Sequence, residues 1–317
     1  MSDTQHTVSP WWRGLVLLTA AAAAVVVAWA LTTGWGAVVH GHPAYAVLLA
    51  VTLVGSLVIL WRGRRARPRR SGLRRVGGVA LVVLGIGWVA AMGWLKPFTA
   101  VEPALSAMRS DAAVTVTESP TQIVMAPTGA QGGTGLFFQP GALVDARAYA
   151  AVLRPVAEAG HLVVITKQPL GIAFLALPAF DGARSAHPDV ARWVVGGHSL
   201  GGTVAAMEAD GADSDATAPA AGLLLYASYP ASDISTSLTA PVTSISGSMD
   251  GLATPAKVEA SRSDLPPDTV FTVIDGGSHA QFGDYGVQPG DGTPSISHDE
   301  ARTRISEASV RFVDGLG

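Results

Sequence analysis

No cysteine occurs anywhere in the 317 residues. Its absence excludes disulfide staples, thiolate nucleophiles and cysteine-ligated zinc or iron-sulfur sites, and leaves the redox compartment open. Charge is scarce as well. Only 14% of residues are Asp, Glu, Lys or Arg, against about 25% in an ordinary soluble domain, and a mean hydropathy of +0.35 speaks against a chain that is water-soluble throughout. Basic residues are fewest where a nucleic-acid binder would need them. Nine of the 21 Lys and Arg stand before residue 96 beside one acidic residue, Asp3, which leaves 12 basic and 23 acidic residues for the remainder. An acidic region with no basic stripe offers no footprint for a phosphate backbone. Acidic clusters with metal-ligand spacing are absent, and His40-Gly41-His42 has no third ligand near it in sequence, so neither a metal nor an organic cofactor is expected.

The first third has apolar runs instead. Residues 14–35, 44–61 and 76–95 contain no charged side chain, and each is close to the roughly 20 helical residues that cross a hydrocarbon core. Seven of the eight tryptophans precede residue 96, with Trp11, Trp12, Trp35, Trp61 and Trp94 at the run ends, where an amphipathic ring prefers the headgroup level. Residues 1–95 therefore read as a membrane anchor of three transmembrane helices whose partner is the lipid bilayer. Spans without ionisable groups argue against an ion or proton pathway. Between the second and third runs lie Arg62, Arg64, Arg65, Arg67, Arg69, Arg70, Arg74 and Arg75, whereas residues 32–43 hold neither Lys nor Arg. Cytoplasmic loops retain positive charge. That rule places the N-terminus inside, the His40/His42 loop outside and everything after Lys96 on the extracytoplasmic side. The first run exceeds a signal h-region in length, but small residues such as Ala28 and Ala30 leave its cleavage open.

Residues 96–112 are mixed in character and read as a tether; 113–317 are enough for one α/β domain. Short apolar strands are expected at 113–117, 122–126, 135–139, 161–166, 193–196, 222–227, 242–246 and 270–274. Helical patterns separate them. Tyr149, Val152, Leu153 and Val156 fall on one face after Asp145 as N-cap, and a last helix opens on Ser297-His298-Asp299-Glu300, an S-x-x-E capping box, burying Ile305, Ala308 and Phe312. The alternation predicts a mainly parallel sheet flanked by helices. Residues 211–220 read as a small-residue, acidic loop.

Gly197-His198-Ser199-Leu200-Gly201 follows one of these strands and precedes a helical stretch, 202–209. The pentapeptide alone is weak; a strand before and a helix after make it a nucleophile elbow, in which glycines are needed because the turn leaves no room for a Cβ. A serine hydroxyl needs a base. Of eight histidines, His279 stands directly after the last strand, where the functional loops of an open α/β sheet gather; His298 is explained by its capping position. The base needs a carboxylate to fix its tautomer. Asp250, after the preceding strand, gives the chain order Ser, Asp, His; Asp233 is its rival, while Asp275 and Asp284 are too close to His279 in sequence. Two N–H groups should bind the oxyanion: that of Leu200, and that of Ala142 or Gly141 in the turn after Phe137-Phe138-Gln139, since Pro140 has none.

These three stretches resemble the α/β-hydrolase superfamily, and more closely a bacterial group of dienelactone-hydrolase-like members. In that group the early turn reads like F-x-P-G-(A/G), the elbow like G-G-H-S-L-G-G and the histidine segment like G-G-(S/N)-H-A-Q-F-G-D-Y-G, matched here by residues 138–142, 196–202 and 276–286. The resemblance covers about residues 113–316. It implies an α/β-hydrolase fold behind the three spans, serine hydrolase activity, a triad of Ser199, Asp250 and His279, and oxyanion donors at Leu200 and Ala142. It names no substrate. The expected substrate is a small acyl compound, an ester or thioester, in an open pocket with Phe138, Leu143, Met249 and Phe282 as candidate walls. The same triad would serve an acyltransferase of envelope lipids or sugars, and an inert triad would leave a ligand- or partner-binding domain. The sequence identifies no protein partner.

Overall fold

Eight strands form one sheet in the order β1-β2-β4-β3-β5-β6-β7-β8. The computed structural model that shows this describes residues 10–63, 72–129, 131–215 and 219–316. It contains two compact units, 1–39 with 43–96 and 40–42 with 97–317.

In the first unit, α1 spans Pro10–His40 with non-helical dihedrals at Gly34, α2 Pro43–Gly63 and α3 Gly72–Trp94. Two helices, Trp12–His40 and Pro43–Gly63, are long and apolar enough to cross a membrane; the apolar part of α3, Gly78–Trp94, is shorter than that measure. The 32–43 loop expected from sequence shrinks to Gly41 and His42, because α1 continues to His40. Thr32 and Thr33 cause no break: both hydroxyls bond back to carbonyls of the preceding turn. Buried Tyr45, Leu49, Thr52 and Ser56 share one face of α2. Tyr45 donates to Met92 O at 3.0 Å and Trp88 Nε1 donates to Thr52 at 2.8 Å, joining α2 to α3. Arg64, Arg65, Arg67, Arg69 and Arg70, on which the expected sidedness rests, lie outside the described residues, as do the side chains of Arg74 and Arg75.

In the second unit the strands are β1 Val114–Glu118, β2 Gln122–Pro127, β3 Thr134–Gln139, β4 Leu162–Thr166, β5 Arg192–His198, β6 Ala220–Tyr226, β7 Val242–Gly247 and β8 Val270–Ile274. β2 pairs antiparallel with both β1 and β4, and the pairings from β4 through β3, β5, β6 and β7 to β8 are parallel. The central strands are buried on both faces, which is why they read as unbroken apolar runs. Their side chains alternate between two cores. Leu136, Phe138, Val163, Ile165, Leu224 and Tyr226 point one way and Phe137, Leu162, Val164, Trp193, Leu223 and Leu225 the other.

Helices cover both faces. α4 (Ala104–Ala107), α5 (Ala150–Glu158) and α9 (His298–Asp314) supply the first core, the last through Ala301, Ile305 and Ala308; α6 (Ala179–Ala186) and α7 (Leu200–Asp213) supply the second. A short α8, Pro255–Ala260, follows β7. Each fully buried large apolar side chain contributes about 1.5–3 kcal/mol. At α9 only half of the expected capping box forms: Ser297 accepts from Glu300 N at 3.1 Å, while the Glu300 carboxylate turns to Arg304. The expected loop at 211–220 is shorter, because α7 runs on to Asp213; residues 216–218 lie outside the described ones.

The expected tether is also different. Phe98 pairs in parallel with Val144, donating to Leu143 O at 2.7 Å and accepting from Asp145 N at 2.9 Å. Ala100 and Ala104 lie in the first core. Residues from Pro97 onward therefore belong to the sheet-bearing unit, and they brace the turn that follows β3.

Candidate active site

Ser199 stands between β5 and α7 at φ 52°, ψ −124°. Such backbone costs a non-glycine residue about 1–3 kcal/mol and persists only where its surroundings enforce it. Here Ser199 N donates to Tyr226 O at 3.0 Å, and Ser228 Oγ donates to Ser199 O at 2.6 Å. The glycines around it are sterically required. A Cβ on Gly197 would lie 2.5 Å from the Gly201 carbonyl, and one on Gly202 2.5 Å from Ser228. The Ser199 side is partly open to solvent.

The turns after β7 and β8 bring Asp250 and His279 together, with Asp250 Oδ2 2.8 Å from His279 Nδ1. Both are buried, His279 to 1% exposure. Asp250 Oδ1 accepts from Leu252 N and Ala253 N, each at 2.8 Å, which fixes the carboxylate plane. A carboxylate accepts only, so Nδ1 carries the imidazole proton and Nε2 is the basic nitrogen. Nε2 is buried and has no hydrogen-bond partner, the Ser199 hydroxyl included. The His279 ring lies 4.5 Å from that of His198, the residue before Ser199. The other carboxylates are engaged elsewhere. Asp233 accepts from Ser235 N at 2.9 Å in an exposed turn, and its bonds with Ser235 hold it below the usual carboxylate range. Asp275 accepts from Ser248 Oγ at 3.0 Å, and Asp284 pairs with Arg302 at 2.9 Å.

The turn after β3 faces the elbow. Gly141 N donates to the Tyr149 hydroxyl at 2.9 Å, and that hydroxyl, with one proton left to give, lies 2.8 Å from His198 Nδ1. Burial, reinforced by the neighbouring His279, pushes the His198 imidazole well below its ordinary value, so it stays neutral and can accept. Burial raises Tyr149, which keeps its proton. The Gly141 N–H is thus consumed. Among the described residues neither the Ala142 nor the Leu200 N–H has an acceptor. Tyr149 and His198 escaped sequence reasoning, since one sat on an apolar helix face and the other inside the elbow, and only the fold joins them.

Residues 135–303, more than half of the chain, match the model of the alpha/beta hydrolase family. The chain belongs to the alpha/beta hydrolase family. Solved structures of similar fold include an alpha-beta serine hydrolase homologue from Coxiella burnetii, at 15% identity, covering 65% of this chain and 99% of that one with a TM-score of 0.43. A monoacylglycerol lipase from Paleococcus ferrophilus is similar at 12% identity, covering 64% and 100%, TM-score 0.48. A thermostable esterase from Pseudomonas putida is similar at 16% identity, covering 68% and 87%, TM-score 0.48. No curated protein matches the sequence.

In this alpha/beta hydrolase, two of the four expected pocket walls are core side chains. Phe138 and Phe282 have no exposed surface: the pleat of β3 turns Phe138 onto Tyr149 and Tyr226, and Phe282 stacks on His198 at 5.8 Å. Leu143, at φ 59°, is buried as well, and of the four only Met249 is exposed, on the turn after β7.

Behind the β3 turn the same hydrolase carries a buried polar chain. Gln139 Nε2 donates to Glu208 Oε1 at 2.8 Å, and Gln168 Nε2 donates to Gln139 Oε1 at 3.0 Å and to Pro140 O at 2.8 Å. Burial, opposed by the Gln139 bond and aided by the charge of Asp181, pushes the Glu208 carboxyl up to about 8 from 4.5. The folded value lies above the unfolded one, so the native state holds the extra proton and stability falls as pH rises from about 4.5 through about 8. Glu208→Gln should remove that slope, leaving Tm flatter than in the wild type between about pH 5 and pH 8. Parallel Tm-against-pH curves for the two proteins would contradict this account of Glu208.

Proposed function

We propose that the chain is a membrane-anchored serine hydrolase that cleaves carboxylic esters or thioesters on the extracytoplasmic side. One observation carries the chemistry: an imidazole fixed by Asp250 at Nδ1 has a free, buried Nε2, and its ring lies 4.5 Å from that of His198, the residue before a serine held in strained backbone. Ser199 Oγ attacks the acyl carbonyl and its proton passes to His279 Nε2. The oxyanion sits against the N–H groups of Leu200 and Ala142, with α7 pointing its positive end at the same place. The leaving alkoxide or thiolate takes the proton from the imidazolium. Water then attacks the acyl-enzyme with His279 again as base, releasing the acid and restoring Ser199. Motifs like those of dienelactone-hydrolase-like proteins support the same roles. The test is a fluorophosphonate probe on the full-length protein. An adduct on Ser199, located by peptide mass spectrometry, is the expected result; no adduct between about pH 6 and 9 would leave a binding domain with an inert triad, and acyl transfer to an added alcohol in preference to water would favour the transferase.

The anchor rests on the two long apolar helices, the apolar stretch of α3 and the run-end tryptophans. Sidedness rests on the arginines between the second and third runs. A reporter active only outside the cytoplasm, fused after Leu316, should be active; an inactive fusion contradicts the proposed orientation.

A further inference from the structure

The loop between the His279 turn and α9 carries a carboxylate with no role so far. Asp291 Oδ1 accepts from His279 N and from Gly251 N, both at 3.1 Å, and Oδ2 accepts from Ala280 N at 2.8 Å. A fourth bond, from Gly292 N at 2.7 Å, closes its own turn. One side chain thus grips the main chain at the imidazole and at the residue after Asp250. An aspartate that serves only its own turn has no need of the bonds to His279, Ala280 and Gly251. The backbone contacts are equally close: a Cβ on Gly251 would lie 2.6 Å from Gly290 O, and one on Gly292 1.8 Å from Met249 O. Burial alone would raise the Asp291 carboxyl, but the N–H groups of Ala280, Gly251 and His279, with the Ser278 hydroxyl, outweigh it and hold the group below its ordinary value. It is therefore ionised at neutral pH, and charge-assisted bonds of this kind are the stronger ones.

We infer, on the reading of Ser199, Asp250 and His279 as a triad, that Asp291 is a positioning residue that locks the acid-bearing turn to the base-bearing turn. By fixing both main chains it sets the Asp250–His279 separation and the direction of Nε2. Displacing a catalytic group by about 1 Å can cost roughly 10²-fold in rate. In the full-length, detergent-solubilised protein, Asp291→Ala should lower kcat by about that factor with KM changed less than about twofold. Asp291→Asn keeps one acceptor oxygen but turns an amide N–H₂ towards a donor, so its loss should be intermediate. The strongly deshielded Nδ1 proton of His279, read by NMR, should be present in the wild type and broadened or shifted in both variants. A contribution to stability alone would leave that resonance and kcat untouched in folded protein, and that result overturns the assignment. Should Asp291→Ala fail to fold, Asp291→Asn decides on the same two readouts. A wild type that hydrolyses no ester yet shows an Asp291-dependent resonance would remove the hydrolase reading and keep Asp291 as the lock.

Discussion

Asp250→Asn should lower kcat by roughly 10⁴-fold, the loss expected when the imidazole is held in the wrong tautomer. The two oxygens of Asp250 do different work. Oδ1 accepts from Leu252 N and Ala253 N, and Oδ2 faces His279 Nδ1 at 2.8 Å. An asparagine keeps its carbonyl oxygen on the two backbone donors, because its N–H₂ group cannot accept there. The N–H₂ is then aimed at Nδ1. To receive it, Nδ1 must give up its proton, and the imidazole becomes protonated at Nε2, the position that should take the proton of Ser199. The fold is retained, since the backbone bonds are. Steady-state kinetics on an activated ester would show the fall in kcat with KM and Tm little altered. A loss of less than about tenfold would mean that Asp250 does not govern the base.

The elements that were legible in the sequence are those whose local physics is decisive. Each of the eight expected strands overlaps an observed one: the central strands are buried on both faces and apolar along their whole length, while the more exposed edge strands β1 and β8 are short β-branched runs. β5 nevertheless runs two residues beyond its apolar core, through Gly197 and His198, where parallel partners on both sides carry the backbone further than side-chain hydropathy indicates. Short helices were invisible: α6 is an Ala-Phe-Asp-Gly-Ala-Arg-Ser-Ala segment whose burial rests on Phe180 and Ala183 alone. α7 passes through Gly211, a residue that costs a helix only about 1 kcal/mol. The site shows the same division. Ser199, Asp250 and His279 could be singled out because an elbow demands glycines and because functional turns gather at one sheet edge. Asp291 could not. It lies in a Pro-Gly-Asp-Gly stretch that reads as an ordinary turn, and its bonds to Gly251 and His279 exist only once two loops are folded together. Phe138 and Phe282 failed as pocket walls for a related reason: closeness to the motifs in sequence does not say which face of the sheet a ring occupies.

Gly201→Ala should cost roughly 10²–10³-fold in kcat, the loss associated with one oxyanion donor, with a loss of stability of about 1–3 kcal/mol from overpacking. The added Cβ would stand 2.1 Å from Pro140 O and 2.2 Å from Gln139 O. Both are backbone atoms, so no side-chain rotation relieves the contact. The elbow cannot yield either, because Gly197 and Gly202 already bring main chain against main chain and Ser199 is tied to Tyr226 and Ser228. What gives way is the β3 turn, which carries the Ala142 N–H, and its displacement separates that donor from Leu200. The turn is braced by Phe98, by Gly171 O accepting from Leu143 N at 2.8 Å and by Gln168, so moving it also strains three other contacts. Gly182→Ala is the matching control, since its Cβ meets nothing within 4 Å; there a gain of about 0.4–1 kcal/mol is expected in a helix. Comparison of kcat and Tm for the two variants separates site geometry from glycine replacement as such, and a fully active Gly201→Ala would remove the β3 turn from the catalytic account.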